Sequence, residues 1–501
     1  MLGFLRRVRL IRRVRFCAAL IAAIGLAAPP QLLADAFTWT GGGTASAPLG
    51  GFFSLDGNWL GGDAPPGATP PDTLTFGGAG AAGYAVVHDL TLNPPELSGL
   101  TLGSSRVTAV LLRGEQFSFS NSSEILQTGS GQFLIENNLD LVNPLTLRGA
   151  GTGLVSLAGI ISGTGNITKS EASTYVLRGL NTYDGLTTIS AGTLIAAGNV
   201  KFGEAGALGN SGSAVTLSGG SFYLAGQATM SRSLEIGGAA TFGNNTVGTV
   251  TMSGDLTFNT NVALTLNAVT GGNLLLQGSI LSPGSVTIGS ASTFAGSVRM
   301  TSANNYTGTT TLTNGRLSIG ANTNYTGTAA APTTIISGPL GTGTFSFGSG
   351  TTVLAIGGAR EIVNPIVNVS TSSAQVFNFG GADDLTFTRN WTLYASTAAV
   401  SRTFNVVTNP GVITFSGNLL QGAAGAITIS KTGRGTLVLG GSNTFSGGLS
   451  VTGGTVRISS NAGLGATAAA LTLNAGTLQV LSDVALPTTR AVALGANGGT
   501  L

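Results

Sequence analysis

The sequence is poor in the side chains on which most enzyme and metal sites depend. Its 501 residues include one cysteine and one histidine, and only 8% of them are charged, against the usual ~25%. A histidine-dependent triad or a metal site would have to use His88, and no second histidine remains to complete a zinc site. As a lone histidine at the end of a strand, His88 is expected to be solvated. We therefore expect no catalytic residue, no metal site and no cofactor in this chain.

Two further classes are excluded by composition. Disordered chains combine low hydrophobicity with high charge, whereas 42% of this chain is hydrophobic and little of it is charged. Collagen is excluded because the 79 glycines follow no three-residue period and proline occurs only 16 times. The chain can therefore bury a core.

The few charges are unevenly placed. The formal net charge of +3 depends on six arginines close to the start of the chain. Without residues 1–36 the chain has 16 basic and 18 acidic residues, a net charge of −2. Nothing in the rest of the chain favours nucleic acid as a partner.

Residues 1–36 have the pattern of a secretory signal peptide. The arginines precede an apolar run from Phe16 to Ala28, and Ala34-Asp35-Ala36 has the small-x-small pattern of a cleavage site. A membrane anchor is the alternative, but the run is shorter than the roughly 20 residues that span a bilayer. Cys17 lies in the segment to be removed, so the mature chain has no disulfide.

Beyond the leader, the pattern predicts an all-β protein. Runs of four or five Thr, Val, Ile, Leu and Ser alternate with Gly, Asn and Ser, and no stretch has a capped 3.6-residue period. Three segments, beginning at Tyr175, Val298 and Leu437, share one spacing. Each has an apolar residue six positions before an aromatic, glycines two and nine after it, and an apolar residue eleven after it: Leu177, Tyr183, Gly185, Gly192 and Leu194; Met300, Tyr306, Gly308, Gly315 and Leu317; Leu439, Phe445, Gly447, Gly454 and Val456.

A second pattern also recurs. Leu208-Gly209 and Leu464-Gly465 are each followed at equal offsets by an apolar residue and a glycine, and Leu340-Gly341 is a looser copy. Strands this short cannot bury a face alone, so they must stack coil on coil as a β-solenoid. At ~20 residues and ~4.8 Å per coil, the mature chain predicts a rod of roughly 100 Å.

These segments resemble a known repeat. The stretch from Lys431 through Asn443-Thr444-Phe445 to Val456 is similar to the autotransporter-associated β-strand repeat, as are residues 169–199. Residues 298–328 lack the lysine, and the N-terminal Asn58-Trp59 also resembles the start of mature chains in this group. The resemblance implies a right-handed parallel β-helix of the kind found in autotransporter passenger domains.

The predicted organisation has three parts. A signal peptide covers 1–36, an N-terminal cap region 37–85 and a β-solenoid 86–501, with repeats centred near 169–199, 298–328 and 431–460. The solenoid is expected to be incomplete at Leu501, with further repeats and an outer-membrane anchor beyond it. No transmembrane segment is expected in the mature chain.

Three other motifs have a structural interpretation. The glycine-rich Gly78–Gly83 precedes a strand and not the helix that a dinucleotide site requires. Asp383-Asp384 is expected in a solvated turn, with a calcium ligand as the alternative. Asn181, Asn304 and Asn443 each precede an aromatic, which favours corner geometry or an inward ladder over ligand binding.

The leading functional hypothesis is an exported, non-catalytic scaffold at the cell surface, used for adhesion or surface presentation. Glycans or cell surfaces are the expected partners, and the expected location is secreted or outer-membrane associated. The alternative is a polysaccharide lyase or glycoside hydrolase on a β-helix, which would need acids and bases clustered on adjacent coils.

The leader generates a first prediction. Exported protein should begin at or near Phe37, because cleavage is expected after Ala36. N-terminal sequencing of exported material tests this, and an N-terminus at Met1 would contradict it.

Overall fold

A computed structural model describes residues 36–39, 50–52, 72–77, 85–89, 96–106, 108–281, 283–329, 331–368, 374–394, 398–407, 411–422 and 425–501. The predicted signal peptide, apart from Ala36, and the Gly78–Gly83 motif lie outside these residues. No helix among the described residues is both long and apolar enough to cross a membrane.

Alternation within each short strand produces the fold. In Leu145–Arg148 the two leucines are buried and Thr146 is half-buried, and most strands repeat this pattern. Leu145 pairs with Ile167 and Thr146 with Thr168 on the next coil, so each position stacks on its equivalent. About 17 such coils form a β-solenoid with three flat faces, which confirms the predicted all-β fold.

All inter-coil strand pairs are parallel, and the chain visits face 1, face 2 and face 3 in turn. Face 1 contains Ala36–Trp39, Asp72–Phe76, Glu96–Leu102, the end of Phe117–Gln127, Leu145–Arg148, Ile167–Lys169, Thr187–Ile189, Val215–Leu217, Leu234–Ile236, Leu256–Phe258 and Ile280–Leu281, and resumes with Arg360–Ile362, Leu385–Phe387, Val412–Phe415, Thr436–Leu439, Thr455–Ile458, Gly476–Val480 and Gly499–Thr500.

Face 2 is one sheet of 16 strands without a break. It contains Gly50–Phe52, Ala85–His88, Val110–Gly114, Phe133–Ile135, Leu154–Leu157, Thr174–Leu177, Thr193–Ala196, Ser221–Leu224, Ala240–Asn244, Ala263–Ala268, Ser285–Ile288, Thr310–Leu312, Phe345–Phe347, Ile366–Asn368, Trp391–Leu393 and Leu419–Gln421.

Face 3 is interrupted once. It contains the start of Phe117–Gln127, Leu139–Leu141 and Ile161–Gly163, and then Thr229–Met230, Gly248–Met252, Gly272–Leu276, Ser297–Met300, Arg316–Ile319, Thr352–Ala355, Gln375–Gly380, Val400–Val406, Ile427–Thr432, Gly448–Val451, Leu471–Leu473 and Val492–Leu494.

Three short elements lie outside the faces. Asn324–Gly327 and Pro332–Ser337 form the one antiparallel hairpin among the described strand pairs. Ser292–Phe294 and Asn461–Leu464 are single 3-10 turns. In the predicted cap region, the described strands pair in parallel with later coils, as Phe37 does with Leu74; a capping role for 37–85 stays a prediction.

The core is a continuous column of inward side chains. Large aliphatic and aromatic residues from all three faces are fully buried along its length. Between Phe345 and Phe415 the column becomes aromatic, and Trp391 stacks on Phe404 with ring centroids 5.5 Å apart. Burial of such side chains stabilises by ~1.5–3 kcal/mol each, which offsets the cost of ordering a glycine-rich chain.

The corner glycines of the first and third repeats generate a second prediction. Gly192 and Gly454 have φ of +65° and +64°, and an added Cβ would lie 2.0 Å from Glu171 O and 2.4 Å from Gly435 O, respectively. Replacing either residue with valine should lower the free energy of unfolding by at least ~1–3 kcal/mol, measured by denaturant unfolding.

Gly203 is the matched control. Its φ is +67° but nothing lies within 4 Å of an added Cβ, so Gly203→Val incurs backbone strain without a clash at Cβ. Equal losses in all three variants would show that close packing at the two corners is unimportant.

Candidate functional site

Three segments replace a strand in the solenoid. Asn181–Tyr183 lies on face 3 above Ile161, Asn304–Tyr306 on face 1 above Ile280, and Asn443–Phe445 on face 2 above Leu419. Each carries the Asn-x-aromatic sequence of the repeat. Together with the Leu-Gly turn that packs on it, we call each a module, numbered 1 to 3 along the chain.

The asparagine amide bridges two coils where the strand is missing. In a regular coil a backbone carbonyl is the acceptor, as Ile160 O is for the Leu139 N–H at 2.9 Å. In all three modules the asparagine Oδ1 accepts from the coil below and Nδ2 donates to a carbonyl above, each at 2.8 Å. The donors below are Ile161, Ile280 and Leu419, and the acceptors above are Ala207, Pro339 and Gly463.

These buried asparagines are structural, as the sequence indicated. They differ from the exposed corner residues, such as Asn166 and Asp255, whose side-chain oxygens accept a single N–H from the coil above. Because both its oxygen and its nitrogen are hydrogen-bonded, the buried amide replaces the backbone hydrogen bonds of the missing strand. Replacing it with an aliphatic side chain would leave one N–H and one carbonyl without a partner.

The aromatic of each module is buried in the core, and its polarity matches that of the residue four positions later. Tyr183, Tyr306 and Phe445 are fully buried. The Tyr183 hydroxyl lies 2.8 Å from Thr187 Oγ1, and Tyr306 has the same contact with Thr310 at 2.5 Å. Phe445 has no hydroxyl, and the fourth residue after it is the buried leucine Leu449. The residue four positions after the aromatic is thus polar where the aromatic has a hydroxyl and apolar where it has none.

The two sequence patterns belong to one structural unit. Leu208-Gly209 returns over Tyr183, Leu340-Gly341 over Tyr306, and Leu464-Gly465 over Phe445. A Cβ on these glycines would lie 3.0, 2.8 and 2.5 Å from the respective aromatic rings. Glycine is therefore required by close approach to the ring.

A residue from the following coil caps each Leu-Gly turn. Arg232 donates to Leu208 O at 2.6 Å, and Arg490 donates to the carbonyls of Leu464 and Gly465. In module 2 an amide does the same, since Asn364 Nδ2 donates to Gly341 O at 3.1 Å. Sequence reasoning missed all three, because they lie more than twenty residues downstream at unequal spacings and one is an asparagine where the other two are arginines.

Two fully buried lysines close the corners of modules 1 and 3. Lys169 Nζ donates to the carbonyls of Ser170, Glu171 and Ala191 at 2.6, 2.8 and 3.3 Å. Lys431 Nζ has three equivalent contacts at 2.8 to 3.0 Å. Burial lowers the pKa of both ammonium groups to about 8. By strand register Ile288 takes this position in module 2, which explains the missing lysine there.

The Leu-Gly turn of each module belongs to a longer excursion from the solenoid, and each excursion lies on a different face. These segments are 199–214 on face 3, 320–343 on face 1 and 459–469 on face 2. Phe202, in the first, is 64% exposed. The second holds the hairpin, whose Tyr325 hydroxyl donates to Glu361 Oε1 at 2.9 Å. Each module thus consists of buried, hydrogen-bonded residues that support an exposed loop.

The remaining sequence candidates are dispersed. His88, expected to be solvated, is instead buried and stacked on Phe117 at 4.9 Å, with Nδ1 2.9 Å from Glu115 O. Asp384 is exposed and accepts the Val412 N–H at 2.8 Å. Within the described residues, no three His, Cys, Asp or Glu side chains come together as metal ligands would.

The fold and the modules define a class: a parallel β-solenoid repeat protein in which an asparagine and an aromatic replace a strand. The family model described as passenger-associated-transport-repeat matches residues 167–196, 295–319 and 429–458, and each range contains one module segment. These matches support an autotransporter passenger-like repeat protein, which confirms the resemblance seen in the sequence.

A curated relative is similar over most of the chain. The Adhesin BmaC autotransporter of Brucella suis biovar 1 (strain 1330) is 27% identical over 472 residues, covering 82% of this chain. The chain spans only 13% of that protein's length. No solved structure matches the chain significantly.

The coupling between Tyr183 and Thr187 generates a third prediction. Thr187→Val should cost ~1–3 kcal/mol, because it leaves the buried Tyr183 hydroxyl without a partner. Adding Tyr183→Phe, which reproduces the apolar pairing of module 3, should recover most of the loss in a double-mutant cycle. Strictly additive losses would show that the two side chains are not coupled.

The same phenol generates a fourth prediction, on pH. Burial raises the pKa of Tyr183 to about 12, and also raises the pKa of Tyr175 and Tyr306. An unfolded tyrosine ionises near pH 10, whereas the buried phenols hold their protons to higher pH. Their contribution to the free energy of unfolding is therefore fully present below pH 10 and is lost as the pH rises towards the folded-state pKa. For Tyr183 alone, roughly 2–3 kcal/mol is lost as the pH rises to about 12.

Phenolate absorbance, followed together with circular dichroism, measures this loss. The three buried tyrosines should ionise only as the strand signal disappears. Their ionisation with the fold intact would contradict the prediction.

Proposed function

We propose that this chain is part of an exported, non-catalytic scaffold that mediates adhesion at the cell surface. One observation carries the proposal: the repeat residues form buried modules, and what they support is exposed excursions on three faces. A protein built in this way uses its repeated pattern for architecture and presents the segments outside that pattern on its surface. The similar protein from Brucella carries the name adhesin.

Export and anchoring complete the proposal. The leader directs secretion, and the solenoid is the passenger part of a longer protein held at the outer membrane by another segment. This arrangement is supported by the similar protein from Brucella, because the chain spans only 13% of its length.

The non-catalytic part of the proposal rests on how the charges are placed. The described ion pairs are the Arg148 contacts with Glu124 and Glu171 and the Lys201–Glu204 pair, all on the surface. Several of the remaining cations are buried against carbonyls, where they cannot reach a substrate. A lyase or hydrolase would need acids and bases gathered on adjacent coils, and this is the alternative function to test.

A bead assay provides the fifth prediction. Beads coated with residues 37–501 should adhere to cell monolayers more than beads coated with the same chain irreversibly unfolded by heat. The native sample should degrade no polysaccharide in a reducing-end assay. Adhesion equal to that of the unfolded control would contradict the proposal, as would turnover lost in Asp383→Ala or Asp384→Ala.

A further inference from the structure

Face 2 differs from the other two faces in charge. None of its 13 strands from Phe133–Ile135 to Leu419–Gln421 contains Asp, Glu, Lys, Arg or His. One cation reaches this face from a corner, since Arg178 Nε donates to Ser156 Oγ at 2.5 Å near the start of the range. Face 1 carries the outward Arg148 and Glu124 pair, and face 3 carries Arg299 and Arg316. At 8% charged residues overall, a run of 13 neutral strands sets this face apart.

Face 2 is also uninterrupted over this range. Modules 1 and 2 place their excursions on faces 3 and 1, and module 3 reaches face 2 only beyond Leu419–Gln421. The result is a flat strip of in-register parallel strands. With ~4.8 Å between coils, the 13 strands extend for roughly 60 Å.

A row of hydroxyls runs along this strip. Seven successive coils carry threonine, or serine once, in the same outward position, and all seven side chains are half-buried. They are Thr174, Thr193, Ser221, Thr241, Thr265, Thr287 and Thr311. Each offers a donor, an acceptor and, for threonine, a methyl group at every coil.

An aromatic pair lies beside this row. Tyr223 follows Ser221 by two positions and so points to the same side of the strand. Its ring is buried, because it stacks on Phe294 with centroids 6.0 Å apart and planes at 6°. Phe294 belongs to an exposed 3-10 turn and is itself half-buried. Amphipathic aromatic rings next to hydroxyl groups suit a ligand with both CH faces and hydroxyls.

From these features we infer that face 2 binds a neutral polysaccharide laid along the solenoid axis. Along the uncharged strands beyond Arg178, a neutral chain docks without removing water from an ion, whereas a polyanion meets no cationic strand residue there. An extended chain of pyranose rings advances by about one coil spacing of ~4.8 Å per ring, so successive rings meet successive hydroxyls. This inference rests on the proposed adhesive function and names its ligand class.

The test uses mature protein and three soluble probes: a neutral β-glucan, a neutral α-glucan and heparin. Native protein should bind at least one neutral glucan in affinity electrophoresis, with little dependence on salt, and should not prefer heparin. Thr241→Glu with Thr287→Glu, two coils apart on the row, should weaken binding by roughly tenfold or more, because carboxylates must lose water against the ligand.

Matched variants separate the face from the fold. Thr168→Glu with Thr216→Glu places the same charges two coils apart on face 1 and should leave binding unchanged. Thr241→Val with Thr287→Val keeps the shape but removes hydroxyls, and Phe294→Ala removes the outer ring of the aromatic pair; each should weaken binding. Circular dichroism and melting curves confirm that each variant is folded.

Several outcomes would overturn the inference. Neutral glucans that bind the Glu variants of face 2 as well as native protein would do so, as would preferential binding of heparin. A change in self-association alone would identify the face as a contact between copies. If no glucan binds while coated beads still adhere to cells, this inference fails and the adhesive function stands.

Discussion

Every coil of this protein must satisfy the backbone donors and acceptors of the coil beneath it. In a parallel solenoid these groups point along the axis, towards the neighbouring coils. A missing strand therefore leaves a row of unpaired polar groups on the coil below it and another on the coil above it. The three modules show how the chain meets this constraint, because Asn181, Asn304 and Asn443 each accept from below and donate above. An amide is suited to this, since it has an acceptor and a donor on one short side chain.

The same constraint accounts for the buried cations. Where the chain turns sharply, several carbonyls converge without an N–H to receive them, and Lys169, Lys431, Arg232 and Arg490 supply the donors. None of these four has a carboxylate partner among the described ion pairs. Hydrogen bonds to several carbonyl dipoles replace a counter-ion, and the burial cost remains visible in the lowered pKa of both lysines.

The placement of the modules shapes the exterior. Because each module lies on a different face, each excursion emerges in a different direction. Each module therefore interrupts the sheet of one face only and leaves the other two continuous at that level. Face 2 is left as a long strip of uncharged strands that runs past the first two excursions and ends below the third. Interior hydrogen bonding thus decides which surface is continuous and which is broken by loops.

Much of this architecture follows from local patterns in the sequence. Alternation in segments such as Leu145–Arg148, glycine at corners and the recurring Asn-x-aromatic spacing predict a stacked all-β fold, because each depends on neighbours in sequence. That Leu208-Gly209 packs on Tyr183, or that Arg232 caps this turn, was decided only by the tertiary structure. These contacts join residues one coil apart, and the number of residues in a coil varies with its excursion. No fixed spacing in the sequence could therefore reveal them, and the distribution of charge over the three faces becomes visible only when each strand is assigned to its face.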